Sequence, residues 1–267
     1  MGSIPYYVGT ALHTLWYSPS LYVTHAAKDQ DWVSEHMGTI QHRSIYSPET
    51  LTVQLEYDPN NINKRKQKIS YIPHTICYDH VADSIDEHDI IVMWPLFYHD
   101  IDPALFEQLK HKRVVLGNFG MFTYPIDGMM VKQHPERARA LLPYVDYLFL
   151  DEDEILFLTE KFSLDDAIHS LEDIVPYIIV TRWSQWSVLH IRGKRYHIPA
   201  FIPENIIDTT GAGDTYLAAF LAKEQETDDY NLIGRFAAMA ATYKIEKTWP
   251  FTTPKDSIER RLLDYSL

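Results

Sequence analysis

The run Asp208-Thr-Thr-Gly-Ala-Gly-Asp214 brings two glycines, a helix start and a terminal carboxylate together in one short stretch. The residues that follow, Tyr216-Leu-Ala-Ala-Phe-Leu-Ala222, are mostly strong helix formers, so Gly211, Ala212 and Gly213 are expected to present unpaired backbone N–H groups at a helix N-terminus. Such a turn is an anion site. Aligned peptide dipoles favour negative charge there, and glycine removes the Cβ that would hold a phosphate away. Asp214 is chemically odd in that position, because a carboxylate repels an anion unless it accepts a proton from an attacking hydroxyl or holds that hydroxyl in line. The same residue also reads as a helix N-cap, since Asp and Thr are both good caps. The run is not a G-x-x-x-x-G-K-[ST] phosphate loop, which occurs nowhere in the chain. It is not a dinucleotide fingerprint either, because Tyr216 stands at the third glycine position.

A chain of 267 residues that is 46% hydrophobic can surround such a turn with one large core and a small appended subdomain. Its single cysteine, Cys77, excludes an internal disulfide framework and a cysteine-based metal cluster, which points to a reducing cytoplasm. No apolar stretch is long enough to span a bilayer, and the first residues lack the profile of a signal peptide, so no membrane partner is expected. The 24 Lys and Arg against 37 Asp and Glu give a net charge of −13, which disfavours nucleic acid as a partner. An anionic nucleotide then needs local attraction from helix dipoles and a divalent cation, which is a reason to expect Mg²⁺.

Short apolar runs at Ile90–Met93, Val114–Leu116, Tyr147–Leu150 and Ile178–Val180 read as buried strands. Helical spacing lies between them at Pro103–Lys110, Pro135–Leu142 and Ser163–Ile174, with Ser163 as a cap. This alternation implies a parallel sheet covered on both faces, with ligands beyond the strand C-termini. Leu51–Tyr57 and Lys66–Tyr71 instead alternate with period two around the turn-rich Asp58-Pro-Asn-Asn61, which reads as a hairpin outside the main sheet. Its apolar residues Leu51, Val53, Leu55 and Tyr57 need a cover: the body, another strand or a second subunit. The division expected is a body of residues 1–37 and 76–267 and a β lid of residues 38–75.

Asp208-Thr-Thr-Gly-Ala-Gly-Asp214 resembles the C-terminal signature of the ribokinase-like (PfkB) carbohydrate and nucleoside kinases. That resemblance implies a three-layer α/β/α sandwich with a small β-sheet lid over the sugar, and relatives often pair their lids across a homodimer. It implies ATP-dependent phosphorylation of a hydroxyl on a small sugar, polyol or nucleoside. The amides of Gly211, Ala212 and Gly213 would form the anion hole, Asp214 would be the base beside the acceptor hydroxyl, and Thr210 and Thr181 would belong to the nucleotide site. In relatives a monovalent cation such as K⁺ beside the anion hole is held partly by the first signature aspartate, here Asp208.

Other stretches match less fully. Val8-Gly-Thr-Ala-Leu-His13 is similar to the family's Gly-Gly-x-Ala-x-Asn element, which implies substrate contacts at Gly9 and His13; a satisfied histidine on an apolar helix is the other account of His13. Asp151-Glu-Asp-Glu154 is similar to the Asn-x-x-Glu motif that organises Mg²⁺ and its waters, and it also reads as a plain acidic first helical turn. Gly117-Asn-Phe-Gly120 resembles a stretch that reads Asp-x-x-Gly in many relatives, with Asn118 as the candidate substrate contact. Val180-Thr-Arg-Trp-Ser-Gln-Trp186 stands at the family's Val-Thr-x-Gly-x-x-Gly nucleotide loop, where Trp183 and Trp186 would line the adenine pocket, obstruct it, or simply pack. Relatives open with a strand and a sugar-binding aspartate, and nothing before Tyr6 supplies either. These departures leave a second class open, a metabolite-binding regulator that keeps the fold without turnover.

Overall fold

The computed structural model describes residues 4–58, 61–117, 120–182 and 184–265. Contacts divide the chain into two compact units, one of residues 1–21, 36–42 and 176–267, the other of residues 22–35 and 43–175. The first element is α1 (Ile4–Thr14), which buries Tyr7, Val8 and Ala11. The strands β1 (Ser20–Ala26) and β2 (Gln41–Ser47), separated by α2 (Gln30–Met37), pair with each other in a two-stranded sheet.

The expected hairpin is present as β3 (Val53–Asp58) and β4 (Asn61–Ile69), with Val53 opposite Ile69 and Leu55 opposite Gln67. After α3 (Tyr78–Val81) come β5 (Ile90–Met93), α4 (Ala104–Gln108) and β6 (Arg113–Gly117), and then a second hairpin of β7 (Thr123–Ile126) and β8 (Met129–Lys132). The run to residue 175 holds α5 (Pro135–Arg139), β9 (Tyr147–Asp151), α6 (Glu152–Thr159) and α7 (Leu164–His169). Ser163 caps α7 as expected, its hydroxyl accepting from the Asp166 amide at 3.2 Å.

In this unit β5, β6 and β9 lie side by side and parallel, with Val92 opposite Val115 and Leu116 opposite Leu148. Helices intervene between them, as parallel neighbours require, and the inner residues Val114, Val115, Leu116 and Leu148 are fully buried. The first hairpin does not stand alone. A four-stranded sheet has the order β3-β4-β8-β7, joined where Lys68 faces Met129 and the Ile69 amide reaches the Gly128 carbonyl at 2.8 Å. One cover for the hairpin is therefore another pair of strands, from residues 123–132, beyond the 38–75 span of the expected lid; β2, inside that span, pairs with β1.

The other unit holds β10 (Tyr177–Thr181), β11 (Trp186–Ile191) and β12 (Lys194–Pro199), which run antiparallel to one another. This departs from an all-parallel expectation for a simple reason: four residues, Arg182 to Gln185, join β10 to β11, and a parallel crossover needs a dozen or more. Helices α8 (Ala212–Glu224), α9 (Tyr230–Ile245) and α10 (Lys255–Asp264) follow. The apolar run Tyr216–Ala222 is buried along α8, which packs against α1 and α9. Close contact of α9 with the strands depends on Gly234, where a Cβ would press on the Ile198 and Leu189 side chains. Among the described residues no helix is long and apolar enough to cross a membrane.

Candidate active site

The signature forms a tight turn into α8. Asp208 opens it, its Oδ1 accepting from the Thr210 amide at 2.9 Å, while its own amide donates to the Ile245 carbonyl at 3.1 Å. Gly211 is the helix N-cap, in the left-handed region at φ 80° and ψ 6°. Glycine is needed there twice over, since the dihedral disfavours side chains and an added Cβ would run into the Tyr7 ring of α1. Asp214 is therefore the third residue of the helix and not its N-cap, and no side chain caps this end. The Thr215 hydroxyl donates back to the Gly211 carbonyl at 2.8 Å. The Ala212 amide is not left over for an anion as expected, because it donates to the Thr209 carbonyl at 3.2 Å. Gly213 is exposed, with nothing within 4 Å of where a Cβ would stand, and Asp214 beside it is half-buried. The helix dipole favours a carboxylate so near its N-terminus.

Beneath the turn lies Lys244 of α9, 1% exposed. Its ammonium donates to the Asp208 carbonyl at 3.2 Å and the Lys247 carbonyl at 3.1 Å, and stands 3.4 Å from Asp208 Oδ2. The Tyr7 ring lies above it, 5.8 Å to the centroid.

Tyr216, at the missing third glycine, ties the start of α8 to the strands. Its hydroxyl meets Ser187 Oγ of β11 at 2.8 Å, and complete burial pushes the phenol well above its usual range, with Ser187 opposing. Ser187 in turn faces Thr181, the last residue of β10. The turn after Thr181 closes with the Arg182 amide on the Trp186 carbonyl at 2.9 Å. The Arg182 guanidinium covers the Trp186 ring at 4.3 Å and the His197 ring lies 5.5 Å from it. Trp183 and Asn118 lie outside the described residues.

The remaining candidates are placed as follows. Gly9 is buried in α1, and the close approach it permits is to the Leu21 side chain, where a Cβ would stand 2.5 Å from Cδ1. His13 is exposed near the end of the same helix, its Nε2 3.1 Å from Thr39 Oγ1. In the other unit, Asp151 and Glu154 form a reciprocal capping box at the start of α6, each carboxylate accepting from the other's amide at 2.8 Å. Burial pushes the Asp151 carboxyl up, while the Glu154 amide and Lys132 pull it back. Gly120 allows a backbone crossing, since a Cβ would collide with the Pro95 carbonyl.

Lys244 and Tyr7 went unrecognised in the sequence. A lysine within a helix reads as solvent-facing, and Lys244 is separated from Asp208 by 36 residues, so no spacing rule links them.

Comparison with known proteins places these features in a family. The pfkB family carbohydrate kinase profile matches residues 54–253. A nucleoside kinase of Methanocaldococcus jannaschii is 29% identical over 113 residues, 42% of this chain and 36% of that protein. The chain thus spans about a third of the length of that curated relative. Among solved structures, a pyrophosphate-dependent kinase in the ribokinase family, complexed with a pyrophosphate analog and myo-inositol, superposes with a TM-score of 0.82 at 18% identity, covering 95% of this chain and 89% of that one. Arabidopsis thaliana ribokinase complexed with ribose and ATP does so with a TM-score of 0.76 at 21% identity, covering 98% and 87%. These structural likenesses show the fold, the ribokinase-like three-layer α/β/α class.

Proposed function

The chain belongs to the pfkB family of carbohydrate kinases, and on that premise we propose that it transfers the terminal phosphoryl group of ATP to a hydroxyl of a small sugar, polyol or nucleoside. The observation that supports this most is the Gly211 turn, a left-handed residue against Tyr7 that starts α8 with an exposed Gly213 next to Asp214. In-line transfer needs such a pairing of phosphate-holding amides and a base. Asp214 takes the hydroxyl proton as the acceptor oxygen bonds to the γ-phosphorus; the bond from that phosphorus to the β-bridging oxygen breaks, and ADP leaves. The backbone amides of Gly211 and Gly213 stabilise the charge on the transferring group, the Ala212 amide being held by the Thr209 carbonyl.

ATP is the proposed donor; the resemblance of Val180–Trp186 to the family's nucleotide loop supports it, and the ribokinase of Arabidopsis thaliana is complexed with ATP. Mg²⁺ suits the residues present. Mg²⁺ usually takes one or two protein carboxylates and otherwise keeps its waters, arriving on phosphates. When bound it neutralises phosphate charge, and Glu154, with Asp151, would order its waters. His13 is proposed as an acceptor contact, and pairing of the four-stranded sheets of two copies as a homodimer interface. The altered motifs that suggested a regulator without turnover leave the Gly211–Asp214 turn intact, and nothing observed favours that alternative.

Asp214→Asn tests the proposal. Turnover should fall by on the order of 10² to 10⁴ while Mg-ATP still raises the melting temperature, because the base is lost and the amides are kept. Phosphoryl transfer equal to the parent's would remove Asp214 from the chemistry. A parent that releases no ADP with any member of a sugar, polyol and nucleoside panel would refute the kinase assignment.

A further inference from the structure

The family resemblance gave Asp208 a share in holding a monovalent cation beside the anion hole. The oxygens around Asp208 do not fit that task here. Its Oδ1 is taken by the Thr210 amide, and its Oδ2 and main-chain carbonyl face the Lys244 ammonium, which also takes the Lys247 carbonyl. Two carbonyls, a carboxylate oxygen and an aromatic face make a hard, negatively polarised nest of the kind that holds a singly charged cation, and a singly charged group already fills it. The side chain is completely buried, so the charge is not a surface ion pair that salt would screen away.

We infer that Lys244 is a built-in replacement for a free monovalent cation, a tethered ammonium that fixes the Asp208–Gly211 turn and lends positive potential to the start of α8. The reason is electrostatic and conformational together. A second cation in the nest would meet an ammonium within a few ångströms, and a bound one would have no uncommitted carboxylate oxygen on Asp208. The ammonium costs no binding equilibrium, so the turn is set at any K⁺ concentration. Lys244 is in this sense a positioning residue, acting through Asp208 and Gly211.

As a statement about catalysis, this rests on the proposed kinase activity; as a statement about cation binding, it does not. The test therefore has two readouts, melting temperature and ADP release, each in potassium, sodium and choline chloride at equal ionic strength. The parent should show the same melting temperature in all three salts, and turnover that changes by less than about twofold. Lys244→Ala, which opens space for a cation, should lose turnover by about tenfold or more in choline, with turnover and melting temperature partly restored by K⁺. Lys244→Met, which refills that space with an apolar stem, should show the loss without the rescue. A parent specifically stabilised or activated by K⁺ would overturn the inference even if neither variant folds, and so would an alanine variant that folds and is indifferent to every cation. If no acceptor is turned over at all, the kinase assignment fails, and the melting curves alone still decide whether Lys244 occupies the cation's place.

Discussion

Gly211 and Gly213 are separated by one residue and are glycines for different reasons. Gly211 has both a positive φ and a tyrosine ring where its Cβ would be, so the fold alone demands it. Gly213 has neither; it is exposed, in the first turn of a helix, with open space in place of a side chain. A glycine inside a helix costs roughly 0.5–1 kcal/mol relative to alanine, and nothing in the protein's own packing offsets that cost here. A ligand backed onto the turn would. Gly213→Ala should therefore melt higher than the parent by up to that amount, yet bind Mg-ATP more weakly in calorimetry, an opposition that no structural role produces. Unchanged affinity would leave Gly213 without a function. This seven-residue turn was legible from sequence because all of its chemistry is local: glycines, acid and helix follow one another. Lys244 and Tyr7 were not, because each reaches the turn from a different helix.

At the level of elements, β5 was legible to the residue and β6, β9 and β10 nearly so, because each carries an unbroken run of at least three apolar residues. The antiparallel sense of β10, β11 and β12 was hidden by assuming an alternation that the four-residue connection rules out. The second hairpin, β7 and β8, was also missed, although Asp127-Gly128 carries a strong hairpin signal, with both residues at positive φ, 50° and 77°. Its strands are four residues each, too short for alternation to register. Finding them changes the account of the lid, since β4 is covered on both sides while β3 remains an edge of the four-stranded sheet. An open edge of this kind, irregular only at Tyr57 and Asp58, invites pairing with a second copy. Light scattering should then give a mass twice the 31.2 kDa of the chain, and a monomer at micromolar concentration would rule out a stable lid-paired dimer.

Stability of the whole molecule should respond to pH through carboxyl groups that pull in opposite directions. Glu226 and Glu246 are held below the usual carboxylate range; burial opposes this, but Lys255 and Lys223 outweigh it for Glu226, and Arg261 at 2.9 Å does so for Glu246. Their contributions are present at neutral pH and are lost as pH falls. Asp100 behaves the other way. Burial pushes its carboxyl from 3.8 up to about 7, although the Leu96 amide at 2.6 Å and the Phe97 amide at 3.3 Å favour the ionised form. Between those two values the folded protein keeps a proton that the unfolded chain has released, so stability from this group is complete below about 4 and declines as pH rises toward about 7. Asp100→Asn separates the two effects, because the amide oxygen can accept the same backbone bonds and has no proton to lose. Measured by denaturant melts across that range, the variant should gain on the parent with rising pH, with a slope of at most about 1.4 kcal/mol per pH unit. A stability difference that is flat with pH would mean that Asp100 ionises in the folded protein as it does in the unfolded chain, and that the loop from Leu96 to Asp100 is open enough to water to permit it.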